Sequence, residues 1–352
     1  MKKEVLCDGT VYTGSAGLSL FFLMRYIKYD QDADYNLQLA LKYLDLKNLK
    51  GHRISFLCGD AGPIAIATVI SYKLGTKRPE NLPDFEALSQ RLLDLNRLMK
   101  KSPDELLYGA AGYLYSLLFV KSNIGENIIP SKNIEKVIDH ILTSGKLFSA
   151  QVKSNSPLLW QWHDKIYLGA AHGVGGILYL LLQARSYINQ QDIETLIKPT
   201  LDWLAHKQLP SGNFPSSLGS SSGDRLVQWC HGAPGFVHLF VLAHQIFKDD
   251  KYLQIAIKCG NVIWERGLCT KGYSICHGVS GNAYSFICLY QATKDPLYLF
   301  RACCFMDWCV KARPVPRDAY NSGSSGLCDG ASAHPSGQGA LVEGARRRAL
   351  VA

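Results

Sequence analysis

Three side chains in this 352-residue sequence have the types and setting to bind a soft metal ion: Cys230, Cys276 and His277. Each cysteine opens a Cys-His-Gly tripeptide, at 230–232 and again at 276–278. Two thiolates and an imidazole are apt ligands for Zn²⁺, and three protein ligands leave a fourth position open, as in catalytic rather than structural zinc sites. Each cysteine also has a plainer reading, because cysteine is among the most commonly buried residue types and often serves as a small core filler. That reading is kept for Cys58, Cys259, Cys288, Cys303, Cys304 and Cys309, while Cys7, Cys269 and Cys328 receive no role. Neither the H-E-x-x-H signature nor the deaminase H-x-E with P-C-x-x-C occurs.

An electron-rich Zn(Cys)₂(His) centre suits holding an incoming thiol as its thiolate. Thiol alkylation or conjugate addition fits it better than amide hydrolysis, which needs a carbonyl-polarising metal and usually a carboxylate base. His172, which also precedes a glycine, is the natural proton carrier, able to protonate the carbon that becomes an enolate when a thiolate adds to an α,β-unsaturated amide. It has an equally simple structural reading, bracing its loop through a backbone carbonyl. His231 follows a ligand cysteine and reads as an orienting neighbour. Lys271 and Lys165 offer positive charge to the carboxylates of an anionic thiol, although lysines near loops are commonly just solvated.

Bringing ligands 46 residues apart onto one ion requires elements that repeat. A short pattern does recur: Gly-x-x-Gly followed by a long apolar stretch. It appears as Gly14-Ser15-Ala16-Gly17, Gly59-Asp60-Ala61-Gly62, Gly109-Ala110-Ala111-Gly112, Gly173-Val174-Gly175-Gly176, Gly232-Ala233-Pro234-Gly235 and Gly278-Val279-Ser280-Gly281. First glycines are separated by 45, 50, 64, 59 and 46 residues, a period that fits a pair of helices plus connections. Each post-glycine stretch is apolar nearly all round, as expected of a helix buried on every side. The stretches between, such as 134–145 and 252–264, are amphipathic and read as an outer layer. Pro63 and Pro234 fall in the first helical turn, where proline removes no helical hydrogen bond. The expected fold is therefore all-α, an (α/α) toroid of helix hairpins over residues 9–311, with the pre-glycine residues crowded around one mouth. Strand readings fail on period. The glycines at 173–176 lack the strand–helix context of a dinucleotide loop. From 312 to 352 the sequence turns rich in Gly, Ser, Pro and Ala and is expected to be a flexible tail.

The formal charge of +9 is spread out, which argues against a nucleic-acid-binding stripe and for a basic surface tolerant of anionic ligands. Eleven cysteines, an odd number and partly in apolar helical stretches, do not suggest a secreted disulfide framework. The sequence opens without a signal peptide, and its apolar run at 18–24 is too short to span a bilayer. A reduced, cytoplasmic setting is expected, leaving the thiols free to ligate metal.

The segments FLCGDAGPIAIATV, DELLYGAAGYLYSLLF, YLGAAHGVGGILY, RLVQWCHGAPG and KGYSICHGVSGNAYSF resemble the lanthionine synthetase C-like proteins of eukaryotes, relatives of the bacterial lantibiotic cyclases. The resemblance runs from about Val11 to Lys311. It implies an (α/α)₇ barrel, of whose seven repeats six are recognisable here, and zinc on Cys230, Cys276 and His277. It implies an enzyme that adds glutathione to dehydroalanine or dehydrobutyrine in damaged or formerly phosphorylated proteins, with His172 handling the proton and Lys271 near glutathione. Alternatives that it leaves open are a non-enzymatic glutathione-binding signalling adaptor and a peptide thioether cyclase. Further implied partners are SH3 domains, for which Pro314 and Pro316 give an incomplete motif, and peripheral contact with the plasma membrane. Relative to the family, this chain is expected to lack residues before the first repeat and to lack the seventh repeat. That would leave an apolar flank open on the first and sixth units.

Overall fold

The computed structural model describes residues 8–29, 32–220, 223–268 and 272–311, and among these the fold is all-helical. Inner and outer helices alternate. The helices that follow the Gly-x-x-Gly turns are α1 (Ser15–Lys28), α3 (Ala61–Leu74), α5 (Ala110–Ile124), α7 (Val174–Gln183), α10 (Ala233–Phe247) and α12 (Val279–Thr293). Between them lie α2 (Ala33–Lys42), α4 (Phe85–Asp94), α6 (Ser131–Gln151), α8 (Gln190–Asp192), α9 (Lys198–Ala205) and α11 (Asp250–Arg266), and α13 (Pro296–Lys311) follows the last. A π-helical turn over Ile193–Ile197 joins α8 to α9. The nearest thing to sheet among the described residues is a single antiparallel bridge between Tyr167 and Ser217.

The chain forms two compact units. The first holds residues 8–163 and Leu180–Thr200; the second holds Asp164–Tyr179 and the described residues from Leu201 onward. In the first, α1 packs on α2 and α3, α3 on α4 and α5, and α5 on α6. In the second, α10 packs on α11 and α12, and α12 on α13. All-round apolar sequence translates into all-round burial in α3, where every residue from Ala61 to Ser71 is buried, and nearly so in α5 and α10. The amphipathic helices bury one stripe each: Ile134, Val137, Ile138, Ile141 and Leu142 in α6, and Tyr252, Ala256, Cys259, Val262 and Ile263 in α11.

Two hairpin turns of the second unit are built alike. α10 ends on Lys248 and α12 on Lys294, both in the left-handed region, with φ of 55° and 61°. The aspartate that follows caps the next helix: Asp249 accepts from the Lys251 amide at 3.0 Å, and Asp295 from the Leu297 amide at 2.9 Å. A carboxylate is well placed there, facing unpaired amides at a helix N-terminus.

The core-filler reading of the cysteines needs one correction. Cys58 and Cys259 are buried, and burial pushes the Cys58 thiol up to about 12. Cys303, by contrast, is exposed, and Cys288, Cys304 and Cys309 are half-buried. They lie on α12 and α13.

Candidate metal centre

The loops entering α10 and α12 carry the ligand-type residues. Glycines let each loop turn back tightly on itself. A Cβ at Gly235 would collide with the Trp229 carbonyl, and one at Gly281 with the Ile275 carbonyl, six residues earlier in both cases. Gly232 has φ of +107°, a conformation that L side chains rarely adopt. Each loop is thus folded over the first turn of its own helix, and Cys230, or Cys276 with His277, is held at the helix entrance.

Backbone hydrogen bonds then join neighbouring loops. Within the first unit the Tyr12 amide donates to the Leu57 carbonyl at 2.9 Å, and the Cys58 amide to the Leu107 carbonyl at 3.2 Å. Within the second, Ala171 donates to Cys230 at 3.4 Å and Cys230 to Cys276 at 3.2 Å. The last of these bonds brings the two cysteines together. The donor atoms of Cys230, Cys276 and His277 all lie within 4.8 Å of one another. Both cysteines are buried and His277 is half-buried.

A metal ion fits this donor set. Zinc–sulfur bonds of roughly 2.3 Å and zinc–nitrogen bonds of roughly 2.0–2.1 Å place ligand atoms nearly 4 Å apart, which falls inside the 4.8 Å within which these three donor atoms lie. The Gln228 side-chain amide donates to Cys230 Sγ at 3.3 Å, a bond that suits a sulfur carrying negative charge. The His277 amide donates to Ser274 Oγ at 3.3 Å and the Gly278 amide to the Ser274 carbonyl at 3.0 Å, fixing the second ligand loop.

Two buried asparagines brace the Cys230 loop, and sequence patterns alone did not single them out. Asn213 accepts from the Ala233 amide at 2.7 Å and donates to the Leu226 carbonyl at 3.1 Å and to Asp224 at 2.9 Å. Asn282, on α12, donates to the Val227 carbonyl at 3.0 Å and to the Gly267 carbonyl at 2.7 Å. The Asp224 carboxyl is held below its usual pKa: burial opposes this, but hydrogen bonds from Asn213 and Arg266 and the Arg266 charge outweigh it. The only signal in the sequence was an Asn beside a turn glycine and another just after Gly281.

His172 lies in the loop entering α7, beside a half-buried cluster of rings. Its ring centroid is 5.9 Å from Tyr167 and 6.1 Å from His231, and Tyr167 is 5.8 Å from His231. The Tyr167 backbone is pinned on both sides, Leu168 donating to Ser216 and Leu218 to Ile166, each at 2.9 Å. Gly169 brings this loop directly onto the Cys230 carbonyl, which a Cβ there would strike. Lys165 is exposed. Lys271 lies outside the described residues, as do Pro314, Pro316 and the rest of 312–352. Among the described residues no helix is long and apolar enough to cross a membrane.

Comparison with known proteins gives a consistent picture. Residues 6–332 match the family described as Lanthionine synthetase C-like protein. The chain is 42% identical over 307 residues to a protein of Danio rerio named Glutathione S-transferase LANCL1, covering 86% of this chain and 75% of the relative. The solved structure of Nisin cyclase superposes with a TM-score of 0.68 at 16% identity, covering 98% of this chain and 90% of that one. That likeness establishes a shared helical fold.

Proposed function

The chain belongs to the lanthionine synthetase C-like family, which holds both glutathione-binding proteins and thioether cyclases, and from that premise we propose that it binds glutathione at a zinc centre made by Cys230, Cys276 and His277. The observation that carries the reading is the convergence of two thiols and an imidazole within 4.8 Å, from loops 46 residues apart. Bound there, zinc would supply Lewis acidity that keeps an incoming thiol ionised at neutral pH.

The rest of the chemistry belongs to the protein's own side chains. Gln228 stabilises charge on Cys230, and the paired loops keep both sulfurs fixed while a substrate enters. In the catalytic form of the proposal, glutathione adds to dehydroalanine or dehydrobutyrine in a protein. Its S–H bond is broken, a carbon–sulfur bond forms at the β-carbon, and the π electrons move toward the amide carbonyl. His172 returns a proton to the α-carbon, so S–H has added across C=C and no group leaves. Lys271 and Lys165 are the cations proposed to meet the carboxylates of glutathione. The match to a relative named a glutathione S-transferase supports this form. Glutathione binding without turnover, as in a signalling adaptor, is the second reading; the family's mixed membership favours keeping it. Peptide thioether formation is the third.

One set of incubations separates them. Full-length protein with zinc, glutathione and a dehydroalanine peptide is expected to give the adduct, detected by mass, and His172→Asn is expected to slow it by roughly 10²–10⁴-fold. Glutathione affinity without adduct supports the adaptor. Loss of the free thiol in a peptide holding both Cys and dehydroalanine, with no glutathione present, supports the cyclase. Glutathione affinity unchanged in Cys230→Ala removes the proposed centre from the function.

A further inference from the structure

In the first unit, α5 carries a buried lysine beside a cavity. From Ala110 to Lys121 every residue of this helix is buried except Tyr115 and Leu118, which are half-buried. The exposed Ser122 continues their side of the helix, at i, i+3 and i+7. This strip lines a cavity of about 460 Å³, within the roughly 300–1,000 Å³ of small-molecule sites. Gln183 at the end of α7 and residues of the 3₁₀ turn Arg185–Tyr187 complete the lining. All of these residues belong to the first unit. Phe56 fixes the aromatic part of the wall, its ring centroid 4.8 Å from Tyr115 and 5.4 Å from Phe119.

Lys121 is only 6% exposed, so its ammonium has left water at a cost that its partners must offset. It lies 5.3 Å from the Tyr187 ring centroid and donates to the Ile129 carbonyl at 3.4 Å. Its carboxylate partner is Glu126, 3.0 Å away and 82% exposed. Gly125, with φ of +145°, ends α5 and lets the chain turn so that Glu126 reaches back. A plain reading makes Lys121 the fastener of this loop. The backbone already closes the loop, however: Gly125 donates to the Lys121 carbonyl and Asn133 to the Pro130 carbonyl, each at 2.9 Å. Glu126 meets the lysine from water, where an ion pair contributes little and is readily exchanged. A carboxylate seated in the cavity would be better sheltered, with aromatic surface beside it and Gln183, Ser186 and Tyr187 close by. Lys121 is the one cation among the described residues that line the cavity. One positive charge and aromatic walls suit a monoanion with a flat apolar body, whereas a phosphate calls for more cationic partners.

We propose that this cavity binds a small aromatic carboxylate, whose carboxylate takes the place of Glu126 on Lys121 and whose rings lie against Tyr115 and Phe119. None of the proposed metal ligands lines it, so the site does not rest on the glutathione reading.

The test is equilibrium dialysis of the full chain against naphthalene-2-carboxylate and, as its neutral counterpart of the same shape, naphthalene-2-carboxamide. Wild type is expected to bind the carboxylate at least about tenfold more tightly than the carboxamide. Glu126→Gln, at an exposed position, removes the competing anion and should tighten carboxylate binding by about two- to fivefold. Ser122→Trp fills the cavity from an exposed position and should abolish binding while circular dichroism stays unchanged. Lys121→Met should lower the carboxylate to the affinity of the carboxamide; should that variant fail to fold, the other two decide the matter. No carboxylate binding by wild type up to about 1 mM overturns the proposal. So does equal affinity for the two ligands, binding that survives in folded Ser122→Trp, or a Glu126→Gln protein that binds no more tightly than wild type.

Discussion

Cys230 stands between two neighbouring loops, its amide bonded to the Cys276 carbonyl and its carbonyl receiving the Ala171 amide. Its position therefore depends on residues that never touch a metal. Asn282 is the most exposed to test, because its side-chain amide makes two bonds from α12, to Val227 and Gly267, in a fully buried setting. Asn282→Ala leaves both carbonyls without that donor and is expected to cost about 1–3 kcal/mol. Urea unfolding measures that loss, and zinc titration of the same variant should show weakened retention. The three ligand-type residues were legible in the sequence because Cys-His-Gly is written twice in one repeat context. Asn213, Asn282 and Gln228 were not, since their partners are carbonyls or a sulfur whose proximity only the fold creates. Lys271 was singled out on charge and falls outside the described residues.

At the scale of elements, the helix hairpins followed from period and glycine spacing, and α3, α5 and α10 are buried as their composition implied. On α1 and α12, Phe21, Met24 and Tyr284 are exposed, so burial on every side does not extend to these two helices. The paired turns at Lys248 and Lys294 hold non-glycine residues in the left-handed region, which costs an L-residue roughly 1–2 kcal/mol. Lys248→Gly and Lys294→Gly are each expected to raise stability by up to about 1 kcal/mol, less than the full strain because glycine is freer when unfolded. Thermal midpoints would register it. α10 also carries His238, whose pKa burial pulls down to about 4. The unfolded chain protonates near 6.5, so from 6.5 down to about 4 it takes up a proton that the folded chain refuses. Stability is thus complete above pH 6.5 and falls on acidification, by at most about 1.4 kcal/mol per unit, levelling off below 4. Urea unfolding at a series of pH values should show this slope, and His238→Leu should flatten it.

For the molecule as a whole, the all-α fold and the family were both readable from repeats and motifs, and the likeness to Nisin cyclase extends over 98% of the chain. What the sequence could not supply was the device that assembles the site, a run of loop-to-loop backbone bonds ending in the one between Cys230 and Cys276. The proposed centre uses ligands from two successive hairpins, so metal retention reports on their packing as well as on ligand identity. Elemental analysis of purified full-length protein is the most direct measurement. Wild type is expected to hold about one zinc per chain, and Cys230→Ala, Cys276→Ala and His277→Ala to lose most of it while circular dichroism shows the helices intact. A wild-type protein that takes up no metal when zinc is supplied, or folded variants that keep a full equivalent, would contradict the account.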